Sequence, residues 1–446
     1  MPVTNISGFQ ELLPNEQLAF DKLISIIKNN FESYGFVPLD TCVVEKTSTL
    51  LSKGNDNEIY GIYRLAGEEG TNKKDMGLRF DLTVPLARYV AQNYAHLTFP
   101  YRRYHIAPVW RGERPQAGRY RQFYQCDIDI IGENELSKLH DSELISVILK
   151  IFKDLKLPNF TIKINNRNLL VGLIKSFGIE NNNIANIIKL IDKADKISRK
   201  QLETELQGYS LSDVNIALIV EMLDKKFSNH EWITFLKDLN ITNEEFVSGL
   251  SDLEKFLSSC IDFDVDLSLL QIDPTLARGL NYYTGIVYET KMNDYPELGS
   301  ICGGGRYANL AGSFTNKNLP GVGISIGISR LFPKLMEIGL VEATRYSTAD
   351  VMVTTQNADS MSKYLKLAED LRQSGVKVEV YLENKPLAAQ LKYAAKKGFE
   401  FVIIANTEEL EGGYAILKNM QIGTQETMNI ASIHSHFEKV LLRNFL

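Results

Sequence analysis

The stretch RGERPQAGRYRQFYQCDID, Arg111 to Asp129, decides how the chain is read. From Arg119 onward, Arg119, Arg121, Phe123, Gln125, Asp127 and Asp129 fall on one parity, while Tyr120, Tyr124, Cys126, Ile128 and Ile130 hold the other. That period of two predicts a hairpin strand with an apolar face and a face furnished with charge and an aromatic ring. Six arginines and no lysine lie between 102 and 121, although lysine is the commoner residue elsewhere. A guanidinium grips phosphate or carboxylate at two points and stays charged when partly desolvated, which an ammonium does less well. An arginine cluster by itself also fits a solvated edge hairpin. The interleaving turns the reading toward a nucleotide, because Phe123 can stack on a base while Glu113 and Gln125 can hydrogen-bond one, and the RPQAG loop can reach an approaching polynucleotide.

Outward from this hairpin, 446 residues with 44% hydrophobic content predict two or three domains. No apolar run approaches the ~18 residues a membrane span requires, and MPVTNISGFQELLPNEQ lacks the basic-then-apolar order of a signal peptide, so a cytoplasmic address and no membrane are expected. Cysteines 42, 126, 260 and 302 show no CxxC spacing and read as buried thiols. A net charge of −6 argues against indiscriminate nucleic-acid coating, yet it permits a local basic patch. Residues 16–34 have helical apolar spacing with Gly35 as a stop, FVPLDTCVV reads as a strand with Pro38 at an edge or bend, and 139–155 as a helix. Hairpin-like strands in RYHIAPVW, CDIDIIG, GIVYET and GVGISIGI favour an antiparallel sheet flanked by helices. Between 168 and 258 an Asn-, Lys- and Leu-rich texture marks a helical insertion. After VEATRYSTA (341–349) a β-α-β-α-β succession predicts a small α/β module, in which VKVEVYL is a strand and Met361, Tyr364, Leu365, Ala368 and Leu371 form the apolar stripe of a helix.

Three further segments carry chemistry. LARGLNYYTG sets Arg278 before Tyr282 and Tyr283, and GSICGGGRY follows with three consecutive glycines, by default a flexible turn rather than a phosphate cradle. GVGISIGISRLF is a glycine-laced strand running into a helix with Arg330 early; its glycines admit either a flat ligand or close core packing. In LRFDLTVPLARY, Asp81 and Thr83 precede Pro85, the arrangement of a helix cap that can also hold an ammonium group.

In this order, RGERPQAGRYRQF, LARGLNYYTG, GGGRY and GVGISIGISRLF resemble the signatures of the histidyl-tRNA synthetases, a class II aminoacyl-tRNA synthetase family. The first is similar to class II motif 2, the last to motif 3, and the strand around Pro38 to the dimer-forming motif 1. The resemblance implies an α+β fold: an antiparallel-sheet class II catalytic core over 1–335 containing the helical insertion 168–258, and a C-terminal α/β anticodon-binding domain over 345–446. It implies ATP-dependent attachment of L-histidine to tRNA(His) through a histidyl-adenylate, releasing AMP and diphosphate. The alternative is the non-catalytic regulatory subunit of ATP phosphoribosyltransferase, a relative that generally lacks the C-terminal domain.

By the same resemblance Arg278 and Arg111 carry the catalytic roles. Arg111, Glu113, Arg119, Phe123 and Arg330 bind ATP, and Asp81, Leu82, Thr83, Gln125, Asp129, Tyr282 and Tyr283 bind histidine. Asn281 stands where many members of the family have Asp. ATP brings Mg²⁺ held through substrate oxygens and water, with no tightly held protein metal site. A homodimer is implied through motif 1.

Overall fold

The computed structural model describes residues 4–52, 59–63, 75–115, 118–277 and 283–445. Arg278, Tyr282 and Asn281, together with Gln116 and Ala117 of the RPQAG loop, lie outside the described residues. The chain divides into two compact units, residues 1–10 with 23–340 and residues 11–22 with 341–446.

The first unit is built on an eight-stranded sheet in the order β1 (Val37–Pro38), β5 (Tyr101–Trp110), β6 (Gln122–Ile131), β11 (Gly321–Ile326), β10 (Ser300–Tyr307), β9 (Tyr283–Met292), β7 (Phe160–Asn166) and β8 (Leu270–Ile272). Its six central strands pair antiparallel, and only the short edge strands β1 and β8 run parallel to their neighbours. Pro38 therefore sits on an edge, where a residue without an N–H costs no ladder bond. A small sheet, β2 (Val44–Lys46), β4 (Met76–Leu78) and β3 (Gly61–Ile62), leads into the helix Thr83–Asn93.

Alternation along β5 and β6 sorts the sheet's two faces. Cys126, Ile128 and Ile130 are fully buried on the back. There Asp141, from the helix Leu139–Asp154, takes the Arg306 guanidinium of β10 and accepts from the Tyr288 hydroxyl of β9. The front carries Phe123, Gln125, Asp127 and Asp129. Ala87 of the helix Thr83–Asn93 packs there against Tyr307.

The glycine run is not a turn. Gly303, Gly304 and Gly305 lie within β10, and a Cβ on Gly304 would stand 2.1 Å from the carbonyl oxygen of Gly323 on β11. In β11 the close-packing reading holds for two glycines: a Cβ on Gly323 would fall 2.1 Å from Asp129 Oδ1, and one on Gly321 would enter the Tyr307 ring. These glycines make room for the protein's own side chains.

The segment 168–258 is helical. Five of its helices begin on side-chain caps from Asn166, Ser198, Ser212, Ser228 and Asn243, each satisfying an N–H that the first turn leaves unpaired. The helices Arg167–Ser176 and Glu244–Asp262 cross at Gly172 and Gly249, where any Cβ would meet the other helix's backbone within 2.6 Å.

In the second unit β12 (Val351–Val353), β13 (Val378–Val380) and β14 (Phe401–Ile404) pair in parallel. β15 (Tyr414–Asn419) and β16 (Gln425–Asn429) add an antiparallel hairpin that the expected succession lacks. The helix Met361–Gln373 buries Tyr364, Leu367, Ala368 and Leu371; Leu367 replaces the expected Leu365, which is exposed. Cys126, Cys260 and Cys302 are buried thiols, whereas Cys42 is exposed because it lies in the loop between β1 and β2.

Replacing Gly304 by Ala should cost about 3 kcal/mol or more in urea unfolding, since a methyl group driven into a neighbouring strand's carbonyl forces the sheet apart. Gly61→Ala, which meets open space, should stay within about 0.5 kcal/mol of the parent. Equal effects from the two substitutions would show that the strand contact is not the constraint.

Candidate active site

The front parity of β6 runs along two adjoining cavities. The outer, of about 320 Å³, is lined by Arg111, Glu113, Arg119, Phe123, Gln125 and Arg330, among others. The inner, of about 20 Å³, lies among Thr83, Asp127, Asp129, Tyr283 and Tyr307. Gly303 and Ser325 line both, so the cavities share a wall.

In the outer cavity Arg111 is anchored by its Nε, which donates to the Phe80 carbonyl at 3.0 Å, and its guanidinium lies 5.1 Å from the Phe123 ring centroid. The anchor uses one nitrogen and leaves the terminal pair for a ligand. Arg119 faces Glu113 at 3.5 Å. Arg330, third residue of the helix Ile328–Glu337, donates from Nε to the Gly118 carbonyl at 3.0 Å and from Nη1 to Ser300, bracing the end of the RPQAG loop. Its pKa is lowered by burial and then by Arg119 and Arg111, the signature of cations crowded around a space that an anion would relieve.

The inner pocket is organised by a residue that the sequence reading passed over. Arg103 is fully buried on β5, directly opposite Asp129 in the β5–β6 register, and its Nη2 meets Asp129 Oδ2 at 2.6 Å. The same nitrogen donates to the Leu82 carbonyl at 3.2 Å, and Tyr307 donates its hydroxyl to Asp129 Oδ1 at 3.1 Å. Burial raises Asp129 to about 6, against the pull of Arg103, and raises its strand neighbour Asp127 to about 7. Gln125 donates from Nε2 to Ser325 Oγ at 2.9 Å. Asp81 both caps and waits: Oδ1 accepts from the Val84 N–H at 3.0 Å, while Oδ2 is buried without a partner and burial raises the carboxyl's pKa.

The fold thus gathers Arg111, Glu113, Arg119, Phe123 and Arg330 around one cavity and Thr83, Asp129 and Tyr283 around the other, with Gln125 at the junction and Asp81 beside the inner one. Leu82 contributes differently from expectation: its side chain packs with Ala107 and Val109 in the core, and its carbonyl is what serves the site. Arg103, Asp127, Tyr307 and Ser325 were missed. A drawn hairpin register would have set Arg103 against Asp129; Tyr307 and Ser325 reach the site only through long-range pairing. Of the other clustered arginines, Arg114 is exposed and two serve structure. Arg102 pairs with Glu143, and Arg121 holds the Glu113 carbonyl.

A larger cavity, of about 660 Å³, lies between insertion helices and β8, and several of its charges pair with one another, as in Lys163–Asp273 at 2.7 Å and Lys291–Glu289 at 3.5 Å. Among the described residues, no group of three or more His, Cys, Asp or Glu is placed to hold a metal ion, and no helix is long and apolar enough to cross a membrane.

Comparison with known proteins places the chain in a family. The histidyl-tRNA synthetase family model matches residues 8–331, and an anticodon-binding domain model matches 350–439. The chain is 44% identical to the histidine-tRNA ligase of Clostridium tetani, covering 95% of each sequence. The crystal structure of histidyl-tRNA synthetase from Nostoc sp. PCC 7120 superposes with a TM-score of 0.89 at 36% identity, covering 98% of this chain and 99% of that one. An ATP phosphoribosyltransferase regulatory subunit/histidyl-tRNA synthetase from Bacillus halodurans C shares the fold alone, with a TM-score of 0.73 at 19% identity over 88% of this chain and 97% of that one. An arginine-lined cavity joined to a carboxylate pocket on an antiparallel sheet, a matching family model over most of the chain and a relative 44% identical over 95% of each sequence lead to one conclusion: the chain belongs to the histidyl-tRNA synthetase family of class II aminoacyl-tRNA synthetases.

Proposed function

We propose that the protein activates L-histidine with ATP to histidyl-adenylate and transfers the histidyl group to tRNA(His), releasing AMP and diphosphate. The observation that carries this reading is the wall shared by the two cavities, because Ser325 and Gly303 put a cationic space and an anionic pocket within reach of one small molecule. A polyphosphate suits the first space; an ammonium and a ring N–H suit the second.

In this reading Phe123 and Arg330 sandwich the adenine, Glu113 accepts from its amino group, and Arg119 contacts phosphate. Arg111 holds the α-phosphate, with Arg278 beside it. The histidine carboxylate attacks α-phosphorus and pyrophosphate leaves, so no covalent enzyme intermediate is needed. Negative charge grows on the α-phosphate oxygens, and guanidiniums already fixed in place stabilise it without the reorganisation that water would require. Mg²⁺ enters as part of the ATP substrate. Asp81, Thr83 and Gln125 bind the α-ammonium. Asp129 and Tyr283, with Tyr282 and the Leu82 segment, read the imidazole, because a pocket with a buried acceptor rejects side chains that cannot donate to it. The anticodon-binding domain gives the tRNA its second contact. A homodimer fits the exposed apolar Val37, Val43 and Val44 along the motif 1 segment, and the cytoplasm is the compartment where such a reaction is required.

Amino-acid-dependent ATP–pyrophosphate exchange across the twenty amino acids should respond to histidine alone. Exchange absent from a folded, histidine-binding protein would favour a regulatory subunit instead. Arg111→Lys should lower the exchange kcat by about 10²–10³-fold, with the histidine KM within about threefold, because a point charge cannot reproduce the two-point grip. Asp129→Asn should raise the histidine KM by about tenfold or more and leave the ATP KM within about twofold. A parallel rise in both constants would assign Asp129 to the framework rather than to histidine.

A further inference from the structure

We infer that Asp127 is a further substrate-binding residue of the inner pocket, its Oδ1 accepting one N–H of the bound amino acid's α-ammonium beside Asp81 and Gln125. The inference rests on the histidine-activating reading above and extends it to a residue outside that set.

Asp81 Oδ2, Gln125 Oε1 and Asp127 Oδ1 are each buried without a hydrogen-bond partner. Buried polar atoms are rarely left so, since an unmet acceptor forfeits its hydration with nothing in return. The three belong together. Gln125 and Asp127 are alternate residues of β6 and point to the same face, and Asp81 is close enough to act on Asp127 electrostatically. Gln125 has its amide nitrogen fixed on Ser325, which leaves the carbonyl oxygen as the free end. A primary ammonium carries three N–H bonds, and leaving water requires an acceptor for each. Asp81, Gln125 and Asp127 offer three unmet acceptors for them, with the Thr83 hydroxyl, which lines the same pocket, as a further partner.

Charge balance leads to the same place. Three buried carboxylates, Asp81, Asp127 and Asp129, surround one buried guanidinium, Arg103, whose Nη2 is taken by Asp129 and Leu82. Across β5 from Asp127 stands His105, held neutral by burial and by Arg103 and Arg79, with its pKa pushed down to about 3. On β11 the facing residue is Ser325, a hydroxyl without charge. Arg111 acts on Asp81 from the outer cavity. Arg103, whose Nε and Nη1 are also buried without partners, acts on Asp127 as well, so three acids share one fixed cation and an ammonium ion adds a second positive charge.

Position separates this role from that of Asp129. Asp129, held by Arg103 and Tyr307, sits at the closed end beside Gly323. Asp127 lies one pleat closer to Ser325 and Gln125, where the cavities meet. The reacting carboxylate must reach the outer cavity through that junction, and the α-ammonium is attached to the neighbouring carbon.

The test compares wild type with Asp127→Asn, using two competitive inhibitors of histidine-dependent ATP–pyrophosphate exchange. L-Histidinol keeps the ring and ammonium but lacks the carboxylate; 3-(imidazol-4-yl)propanoate keeps the ring and carboxylate but lacks the ammonium. The substitution should raise the histidinol inhibition constant by about tenfold or more while the propanoate constant and the ATP KM stay within about twofold. An equal rise for both inhibitors, or an unchanged histidinol constant, overturns the assignment. Should the variant exchange too slowly for inhibition to be read, calorimetric binding of the same two compounds gives the same comparison. A wild-type protein that shows no histidine-dependent exchange would refute the underlying activity instead, an outcome visible before any variant is made.

Discussion

The site depends on the ion pair between Arg103 and Asp129. Both partners are nearly fully buried, and withdrawing two charges from solvent consumes most of what their attraction returns, so the pair contributes little net stability. What it contributes is position. One guanidinium nitrogen binds both Asp129 and the carbonyl of Leu82, joining β5 and β6 to the turn that delivers Asp81 and Thr83. Tyr307 brings in β10 from the other side, and Gly321 and Gly323 leave the space in which this cluster fits. Loss of either charged partner would leave the other buried alone, which typically costs about 3–5 kcal/mol, so this cluster has little freedom to vary.

Much of this arrangement is written locally. The parity along 119–129 gives the strand and its functional face without any partner strand, because side chains alternate by backbone geometry alone. The cap at Asp81 and the stop at Gly35 are equally local, the latter seen as a positive φ. What escapes the sequence is whatever depends on register. Three consecutive glycines look like a turn until β9 and β11 are placed on either side of β10, when each missing side chain becomes space claimed by a carbonyl or a ring. Tyr307 and Asp129 are 178 residues apart, and no periodicity joins them. Leu365 and Leu367 differ only in which side of a helix meets the core, a choice made by the sheet beneath.

The two cavities differ in the way they hold unspent charge. Around the outer one, guanidiniums braced by backbone carbonyls keep terminal nitrogens for a ligand; around the inner one, carboxylates outnumber the cation beside them. Each arrangement is unfavourable when empty and favourable when filled by the opposite charge. That is the condition for recognition by electrostatic complementarity; in the larger cavity by the insertion, Lys163 and Asp273 instead pair with each other.

The interleaving of β6 with β10 and β11 also bears on how the protein is made. One wall of the site ends at Ile131, while the other begins at Ser300 and is complete only when Arg330 has been added. At about 5–20 residues per second, a ribosome takes roughly 10–40 seconds to cover that interval. During it, β6 has β5 beside it but neither β10 nor β11, whereas the insertion helices started by a serine or asparagine can form as they emerge. A nascent chain therefore holds no half-built site able to capture ATP or amino acid: affinity for both arrives in one step, late in synthesis.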